Sequence, residues 1–590
     1  MNEAIRVIHS IRSRAVPLLL AAALNACGGG SADSASDQQS NHSPRLVNAA
    51  TDQQLTTGHA FVYDVSQGGT AVTDPDGDPL IYQLRVNQGD WGYELPTGLT
   101  INGTVISGTP TESGISEIEV QVDDGRGGTS VFFRFFLRIA ENSAPQVVNP
   151  NAPQVITAGA PVNYDALQGG TTFSDADGDA LTYSITLRGD PQELNVSGTS
   201  IAGTVNQIGA VEVILEASDH YGGVGQDMFL IAAAAPELSA LPTLPVVPYI
   251  YRDEDLPLPY VYRLSSESVV PLWDTQPADN RTTNAGATLG RVLFYDKRLS
   301  ITNTVSCATC HVQGRGFASS QRFDTGVLGI PLTRNSMALA NARYSIAPAW
   351  FSDMRVRDDL RDLIFIPIDN HDELGMAAFD VEDKLQNAAF YPPLFVAAFG
   401  TADITRARIA AALAQFVQSL ISYQAKIDLA ENPMTNEAPK PEDVLNASEL
   451  RGLEIYNDNC AICHEVHAGT NVWQANIGLD SIPSDPGVLD EALRRDGSLG
   501  IFRSASLRNI AVSGPYMHDG RFSTLREVID HYDHGVMDGP YLDSLLRDLS
   551  GQVKLLNLSE EDKNDLENFL NTFTDDAFLS DPKFSDPFPP

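Results

Sequence analysis

The spacing of hydrophobic residues changes about halfway along the chain. Up to about residue 233, short segments such as SEIEVQV alternate apolar and polar residues, and Gly, Asp and Asn separate them. This period of two is typical of antiparallel strands with one buried face. Residues 403–423 and 559–573 instead repeat apolar residues every three or four positions, and Ser559 with Asp562 forms a capping box. The pattern predicts a β part followed by a mostly α part.

The β part contains an internal repeat. QGGTAVTDPDGDPLIYQL (67–84) recurs as QGGTTFSDADGDALTYSI (168–185), a shift of 101 residues. A unit of this length is typical of an immunoglobulin-like sandwich and is too long for a solenoid repeat. Each copy carries a loop of alternate aspartates that resembles the loops of cadherin-like surface domains, where such carboxylates hold Ca²⁺; a plain Asp-Gly turn is the alternative. The loops are Asp74, Asp76 and Asp78, and Asp175, Asp177 and Asp179.

The N-terminus has the pattern of an export signal. Basic residues precede AVPLLLAAAL, an apolar stretch too short to span a bilayer. The following LNAC, which ends at Cys27, resembles the cleavage site of bacterial lipoproteins, where the cysteine becomes lipidated. An ordinary signal peptide with an incidental cysteine is the alternative. We expect a chain that is lipid-anchored to a bacterial membrane, with the outer membrane favoured, and faces the periplasm or the cell surface.

The charge of the chain is strongly acidic, with 76 acidic and 38 basic residues and a net charge of −38. Phosphate binding requires basic patches, so this balance argues against nucleic acid as a partner. A soluble acidic surface, with some carboxylates used for calcium, accounts for it equally well.

The four cysteines other than Cys27 all lie in two Cys-x-x-Cys-His motifs. The motifs are CATCH (Cys307, Cys310, His311) and CAICH (Cys460, Cys463, His464). Two thiols at this spacing bond to the vinyl groups of a porphyrin, and the adjacent histidine ligates the iron. One zinc site with four cysteines is the alternative, but zinc gives no reason for a histidine after each pair. We predict two covalently bound haems c.

The sequence around these motifs resembles the bacterial di-haem cytochrome c peroxidase family, including its MauG-type branch. The resemblance runs from about Leu289 to Phe573. In the family's order, the matching segments are LGRVLFYDKRLSITNTVSCATCH, TRNSMALAN, LRDLIFIPIDNHDELGM and SLRNIAVSGPYMHDGRFSTL. It implies two cytochrome c-type domains, so the fold class expected for the whole chain is two all-β immunoglobulin- or cadherin-like sandwiches followed by a mostly α di-haem region.

The resemblance also implies roles for single residues. His311 ligates the haem that binds hydrogen peroxide, and His464 ligates the electron-relaying haem. Glu373 is the distal carboxylate, which moves a proton between the peroxide oxygens. A calcium ion is expected between the two haem domains. Its ligands by resemblance are Asn335 and the carbonyl oxygens of Ser513 and Pro515.

Tyr532 stands where ordinary peroxidases have the methionine that ligates the second haem, fourteen residues after His518. The MauG-type branch has tyrosine at this position. A phenolate is a hard anion and favours ferric iron, whereas a thioether favours ferrous iron. An aromatic residue packed in the core is one alternative, and the neighbouring His531 and His534 are rival ligands. Met537 is out of register.

Three departures from the family pattern affect the expected chemistry. Leu363 replaces the distal glutamine, and Ser352 replaces a tryptophan between the haems, with Trp350 two residues earlier. No histidine occurs between His311 and His371, so we expect the first haem to lack the histidine that closes it in many members.

We therefore expect an enzyme that reduces hydrogen peroxide at a five-coordinate haem. The second haem, with histidine and tyrosine ligands, would share the oxidising equivalents and oxidise a protein substrate. A conventional cytochrome c peroxidase with a small redox protein as electron donor is the first alternative. A non-enzymatic di-haem electron carrier and a surface adhesion protein with a vestigial redox domain are the others.

Seven segments follow from these patterns. Prolines are dense from Ala234 to Tyr262, which predicts an extended linker there. The predicted segments are 1–26 signal peptide, 27–46 tether, 47–141 and 142–233 sandwich repeats, 234–284 linker, 285–440 peroxidatic cytochrome c domain and 441–590 electron-transfer cytochrome c domain.

Overall fold

A computed structural model describes most of the chain. The described residues are 41–87, 95–127, 129–236, 240–252, 274, 276–344, 359–377, 381–430, 440–464, 474–487 and 499–588. They form two compact units, which divide between Glu141 and Asn142. None of the described helices has the length and apolar character needed to cross a membrane.

The first unit contains a β-sandwich, the first sandwich. One sheet has the strand order β2-β9-β8-β5 and the other β3-β7-β6, and β1 pairs with β4. Along β8, every second residue from Ser116 to Val122 is buried, as expected for a strand with one face in the core. The strands are β1 (Arg45–Leu46), β2 (Gln53–Thr56), β3 (Phe61–Asp64), β4 (Val72–Thr73), β5 (Ile81–Asn87), β6 (Leu99–Asn102), β7 (Val105–Gly108), β8 (Gly114–Asp123) and β9 (Val131–Ala140).

The second unit begins with a second sandwich that repeats this topology. Its sheets have the orders β11-β18-β17-β14 and β12-β16-β15, and β10 pairs with β13. Here four consecutive residues of β17, Ala210–Val213, are buried, so both faces of this strand are covered. The strands are β10 (Gln146–Val147), β11 (Gln154–Thr157), β12 (Pro161–Asp165), β13 (Phe173–Ser174), β14 (Thr182–Gly189), β15 (Asn195–Ser197), β16 (Ser200–Thr204), β17 (Gly209–Ser218) and β18 (Val224–Ala234).

The rest of the second unit is mostly helical, which confirms the expected fold class. The described part of the proline-rich segment has neither helix nor strand. Its Tyr251 hydroxyl donates a hydrogen bond to the Lys583 carbonyl oxygen at 2.6 Å, which links the segment to the C-terminal residues. The elements are α1 (Asn284–Tyr295), α2 (Cys307–Cys310), α3 (Leu360–Asp369), α4 (Val381–Gln386), α5 (Tyr391–Phe399), α6 (Arg406–Gln418), α7 (Lys426–Ala430), α8 (Pro441–Val444), α9 (Ala447–Asn459), β19 (Gln474–Ala475), β20 (Phe502–Arg503), α10 (Leu525–Asp530), α11 (Glu560–Asn571) and α12 (Asp576–Ser580).

Each haem motif follows a helix that crosses another helix closely at a glycine. A Cβ on Gly290 of α1 would lie 2.0 Å from the Ala412 carbonyl oxygen of α6. A Cβ on Gly452 of α9 would lie 2.1 Å from the Asp565 carbonyl oxygen of α11. No side chain fits at either crossing, so the two helix pairs pack backbone to backbone and build two separate hydrophobic cores.

Candidate haem sites

The first motif forms the short helix α2, and His311 lies at its C-terminal end. Cys307 and Cys310 are both free thiols, as attachment to a porphyrin requires. The Nδ1 atom of His311 lies 2.9 Å from the Phe317 carbonyl oxygen. With the proton on Nδ1, Nε2 is the atom available to iron. Burial lowers the pKa of His311, which favours the neutral imidazole that ligates metals.

The second motif has the same arrangement at the end of α9. Cys460 and Cys463 are free thiols. The Nδ1 atom of His464 lies 3.0 Å from the Ala505 carbonyl oxygen, and burial lowers the pKa of this histidine as well. The Tyr456 hydroxyl donates to the His464 carbonyl oxygen and fixes the motif to the core. Both donor sets therefore fit a covalently attached haem with an imidazole ligand.

Glu373 lies in the turn after α3, beside the first motif. Burial raises the pKa of the Cys307 thiol to about 12, and the negative charge of Glu373 adds to the increase. The same charge acts on Cys310. Asn370 donates from Nδ2 to Glu373 Oε1 at 2.9 Å and fixes the carboxylate in its turn. The carboxylate of Glu373 thus lies near the thiols of the first motif, and its role as distal carboxylate stays a prediction. Leu363 of α3 packs against the adjacent hydrophobic core.

Tyr532 lies beside the second motif, in a π-helical turn (His531–Gly535) that continues α10. Burial raises the pKa of its phenol, and the nearby thiols of Cys460 and Cys463 act in the same direction. Turns of this type are frequent at functional sites. Tyr532 is therefore near enough to the second motif to be a residue that would hold the haem iron.

The two rival histidines have other partners. His531 is buried and its Nε2 lies 3.0 Å from the Ile477 carbonyl oxygen. The side chain of His534 is 63% exposed, and its Nδ1 lies 3.0 Å from Asp533 Oδ2. Met537 is 49% exposed. The exposure of His534 and Met537 favours Tyr532 over these two neighbours.

Comparisons with known proteins identify the family of the chain. The profile of the di-haem cytochrome c peroxidase family matches residues 284–433, and a putative Ig domain matches residues 43–140. The methylamine utilization protein MauG of Methylorubrum extorquens is 33% identical over 300 residues, which cover 50% of this chain and 80% of that protein. The chain belongs to the di-haem cytochrome c peroxidase and MauG family.

Other relatives carry the peroxidase name. The cytochrome c551 peroxidase of Pseudomonas aeruginosa is 29% identical, over 41% of this chain and 69% of that protein. A solved MauG-like protein associated with microbial copper homeostasis is 30% identical, covers 53% of this chain and 96% of its own, and gives a TM-score of 0.46. Family membership makes this chain a di-haem peroxidase, with two haems c as its cofactors.

The predicted calcium ligands of the peroxidase come from two segments that lie against each other. The N–H of Asn335 donates to the His518 carbonyl oxygen at 2.7 Å. Arg315 was not expected here, and its Nη1 donates to the carbonyl oxygens of Val512 at 3.2 Å and Gly514 at 3.4 Å. A guanidinium thus lies next to the carbonyl groups of Ser513 and Pro515. Calcium at this junction stays a prediction.

The acidic loops of the two sandwiches differ from each other. In the first sandwich, carboxylate oxygens of Asp74, Asp76 and Asp78 lie within 4.8 Å of one another. In the second, the group of three consists of Asp175, Asp179 and Asp219. Asp177 accepts a hydrogen bond from the Ser143 N–H at 2.7 Å, as Asp76 does from the His42 N–H at 2.5 Å. Asp219 comes from the connection between β17 and β18, outside the predicted loop.

Sequence reasoning missed two residues near Glu373. Arg188 and Glu212 of the second sandwich bind the two residues that precede Glu373, as described below. The only signal for them was Glu212, an acidic residue within the apolar stretch GAVEVILEAS of β17. Cys27, Trp350 and Ser352 lie outside the described residues.

Proposed function

We propose that this chain is a MauG-type peroxidase that reduces hydrogen peroxide at the haem held by His311. In the net reaction, H₂O₂ takes up two electrons and two protons and leaves as two water molecules. The bound haems supply the redox chemistry. The observation that carries the proposal is the placement of Glu373 beside the first motif and of Tyr532 beside the second.

Glu373 would handle the proton at the peroxide site. Its carboxylate is held by Asn370 at 2.9 Å, so it does not have to be ordered when peroxide arrives. An ionised carboxylate accepts the proton of the inner peroxide oxygen and returns it to the outer one, which then leaves as water. Leu363 stands in place of the distal glutamine, and its side chain cannot form hydrogen bonds. We therefore assign the proton transfer to Glu373, with Asn370 as the residue that holds its carboxylate.

Tyr532 would distinguish the second haem from that of an ordinary peroxidase. Burial raises the pKa of the phenol, so an uncompensated phenolate is disfavoured at this position. Tyr532 would hold the iron of the second haem as a phenolate, and a ferric ion bound there would supply the compensating charge. Such a site suits the storage of oxidising equivalents and favours a protein substrate as the electron source. A small redox protein donor remains the second candidate, supported by the peroxidase relatives.

Steady-state peroxide turnover tests the role of Glu373. We expect Glu373→Gln to lower kcat/KM for hydrogen peroxide by about a hundredfold or more, because loss of a positioned acid or base costs that much. The haem content and the spectrum of the second haem should stay unchanged. A variant that turns over peroxide like the wild type would exclude Glu373 from proton transfer.

Electron paramagnetic resonance of the oxidised protein tests the ligand of the second haem. We expect one high-spin and one low-spin ferric signal, and Tyr532→Phe should alter only the low-spin one. The same substitution at the half-exposed Tyr541 serves as control. An unaltered low-spin signal in Tyr532→Phe would remove this residue from the coordination sphere.

We also propose a lipid anchor at Cys27, a location in the periplasm or at the cell surface, and one calcium ion between the haem domains. Mass spectrometry of the mature N-terminus would detect acyl chains on Cys27. Isothermal titration of the chelated holoenzyme with Ca²⁺, for wild type and Asn335→Ala, would test the ion. Identical titrations of the two proteins would exclude Asn335 as a ligand.

A further inference from the structure

The second sandwich packs directly against the turn that carries Glu373. Its strands β17 and β18 contribute Ala210, Leu230 and Ala232 to the hydrophobic core of the first haem region. A side chain on Gly375, two residues after Glu373, would require its neighbours to move. A Cβ there would lie 2.7 Å from Leu230 Cδ1 and 3.2 Å from Val327 Cγ2. The sandwich and the turn therefore form one close-packed interior.

The main chain of the sandwich is linked to that of Glu373 through one residue. Ala210 of β17 donates its N–H to the Val327 carbonyl oxygen at 3.0 Å. Val327 in turn donates its N–H to the Glu373 carbonyl oxygen at 2.9 Å. The backbone of Gly326 is in close contact with the same turn, because a Cβ on Gly326 would be 2.6 Å from Glu373 Cα. A shift of β17 would therefore be transmitted to the Glu373 backbone.

Two side chains of the sandwich bind the residues that precede Glu373. The buried carboxylate of Glu212 accepts from His371 Nδ1 at 2.8 Å and from Arg188 Nε at 2.5 Å. Arg188 also forms an ion pair with Asp372. Arg188 and Glu212 are directly opposite each other in the β14–β17 ladder, so the sheet itself sets their spacing.

The ionisation of Glu212 fits this role. Burial acts to raise the pKa of the carboxyl group, but the hydrogen bonds and charges of His371 and Arg188 outweigh it and keep the pKa below its usual value. The group is therefore an anion at neutral pH and holds both donors.

We propose that Arg188 and Glu212 are positioning residues for the distal carboxylate, so that the second sandwich is part of the peroxidase site. The inference rests on the proposed role of Glu373. Asn370 orients the carboxylate within its own turn, whereas Arg188 and Glu212 hold that turn from outside, through His371 and Asp372. A reacting group has to be placed to within about 1 Å, and an error of that size costs about a hundredfold in rate.

The first sandwich supplies a matched control. Glu117 pairs with Phe136 in the β8–β9 ladder, as Glu212 pairs with Leu230 in the β17–β18 ladder. Glu117 is not buried, and Arg134, whose side chain is 57% exposed, lies 3.7 Å from it. Glu117→Gln thus makes the same chemical change at the equivalent strand position of the first sandwich.

The experiment measures the second-order rate constant for hydrogen peroxide in the full-length holoenzyme. We expect Glu212→Gln and Arg188→Met to lower it about tenfold to a hundredfold, the usual range for residues that orient a reacting group. Glu117→Gln should change it less than about twofold. The haem content and the low-spin signal of the second haem should be unaltered in all three. Arg188 is 38% exposed, so Arg188→Met carries the test if Glu212→Gln does not fold.

A double-mutant cycle separates positioning from general damage to the fold. If Glu212 acts through Glu373, Glu212→Gln should cause no further loss in the Glu373→Gln background. A full, multiplicative loss in that background would overturn the inference. So would wild-type rates for Glu212→Gln and Arg188→Met in a protein where Glu373→Gln is impaired. Wild-type rates for Glu373→Gln itself would overturn the proposed function, and the inference with it.

Discussion

The two sandwiches share one topology but differ on one outer face. In the first, the outer positions of β8 and β9 include Glu117, Glu119, Arg134 and Arg138, and the arginines form ion pairs at the surface. In the second, the corresponding part of β18 holds Leu230 and Ala232, and five consecutive residues, Phe229–Ala233, are buried. A few outward residues thus distinguish a sheet that faces solvent from one that packs on the haem region.

The physical reason is the cost of removing charges from water. Exposed ion pairs contribute little to stability, yet burying them costs several kcal/mol per ion. Replacement of such pairs by leucine and alanine removes this cost and adds apolar area to bury. Glu212 keeps a buried charge on the outer face of the second sheet, where His371 and Arg188 supply its partners. A repeated domain therefore becomes part of a site through the residues of its outer face.

The largest expected difference between the sandwiches concerns Leu230 and its counterpart Phe136. Leu230 is fully buried between the sandwich and the haem region, so Leu230→Ala should destabilise the protein by about 2–5 kcal/mol. Phe136→Ala should cost no more than about 1 kcal/mol, because Phe136 packs mainly under Arg138 at the surface. Urea denaturation followed by circular dichroism measures both. Equal losses would contradict the difference between the two faces.

A smaller loss of stability is expected at Gly375. Comparison with a second glycine separates the cost of backbone strain from the cost of close packing. Gly375 has φ +72°, and a methyl group added there would lie within 3.2 Å of three side chains, so Gly375→Ala should cost about 2–4 kcal/mol. Gly329 has φ +69° and open space around it, so Gly329→Ala should cost only about 1 kcal/mol of backbone strain. Urea denaturation compares the two variants with wild type. If both substitutions lower the free energy of unfolding equally, close packing of the sandwich against the Glu373 turn adds no cost at Gly375.

The pH dependence of stability should differ between Glu212 and Glu117. Arg188, His371 and Asp372 are the charged or titratable groups around Glu212, and its pKa in the folded protein lies below the usual 4.5. As the pH falls below about 4.5, the unfolded chain takes up this proton first, so stability is lost. Glu212→Gln should therefore show a shallower loss of the denaturation midpoint between about pH 6 and pH 3 than wild type. Glu117→Gln should follow the wild-type curve, and a wild-type curve for Glu212→Gln as well would refute the argument.

The smallest effect is expected for the surface ion pairs of the first sandwich. Arg134→Ala removes contacts to Glu117 and Glu119 but should change stability by less than about 1 kcal/mol, and less at high salt. Thermal unfolding at low and high ionic strength measures this. A loss of stability as large as that of Leu230→Ala would contradict the view that these ion pairs are exposed and contribute little.

Local patterns predicted the two helices described here, with errors at their ends. The capping box of Ser559 and Asp562 is confirmed, and the helix it begins ends at Asn571 rather than at residue 573. The helix predicted over 403–423 spans only Arg406–Gln418. Apolar Leu420 and Ile421 continue its periodicity but lie beyond the helix, and the Ser422 N–H donates to Asn341 Oδ1 at 2.6 Å. A tertiary hydrogen bond of this kind, between residues 81 positions apart, leaves no trace in the local pattern.

The sequence by itself determined the two haem motifs, the repeated sandwich and the family, since each depends on residues close together in the chain or on a fixed order of segments. Only the tertiary structure decided that the second sandwich reaches the Glu373 turn. Glu212 and His371 are 159 residues apart, and both side chains are ordinary polar residues until two domains place them 2.8 Å from each other. The hydrophobic period shows which residues of a strand face the core of their own sandwich. Which residues contact the opposite face of the strand depends on how whole domains pack.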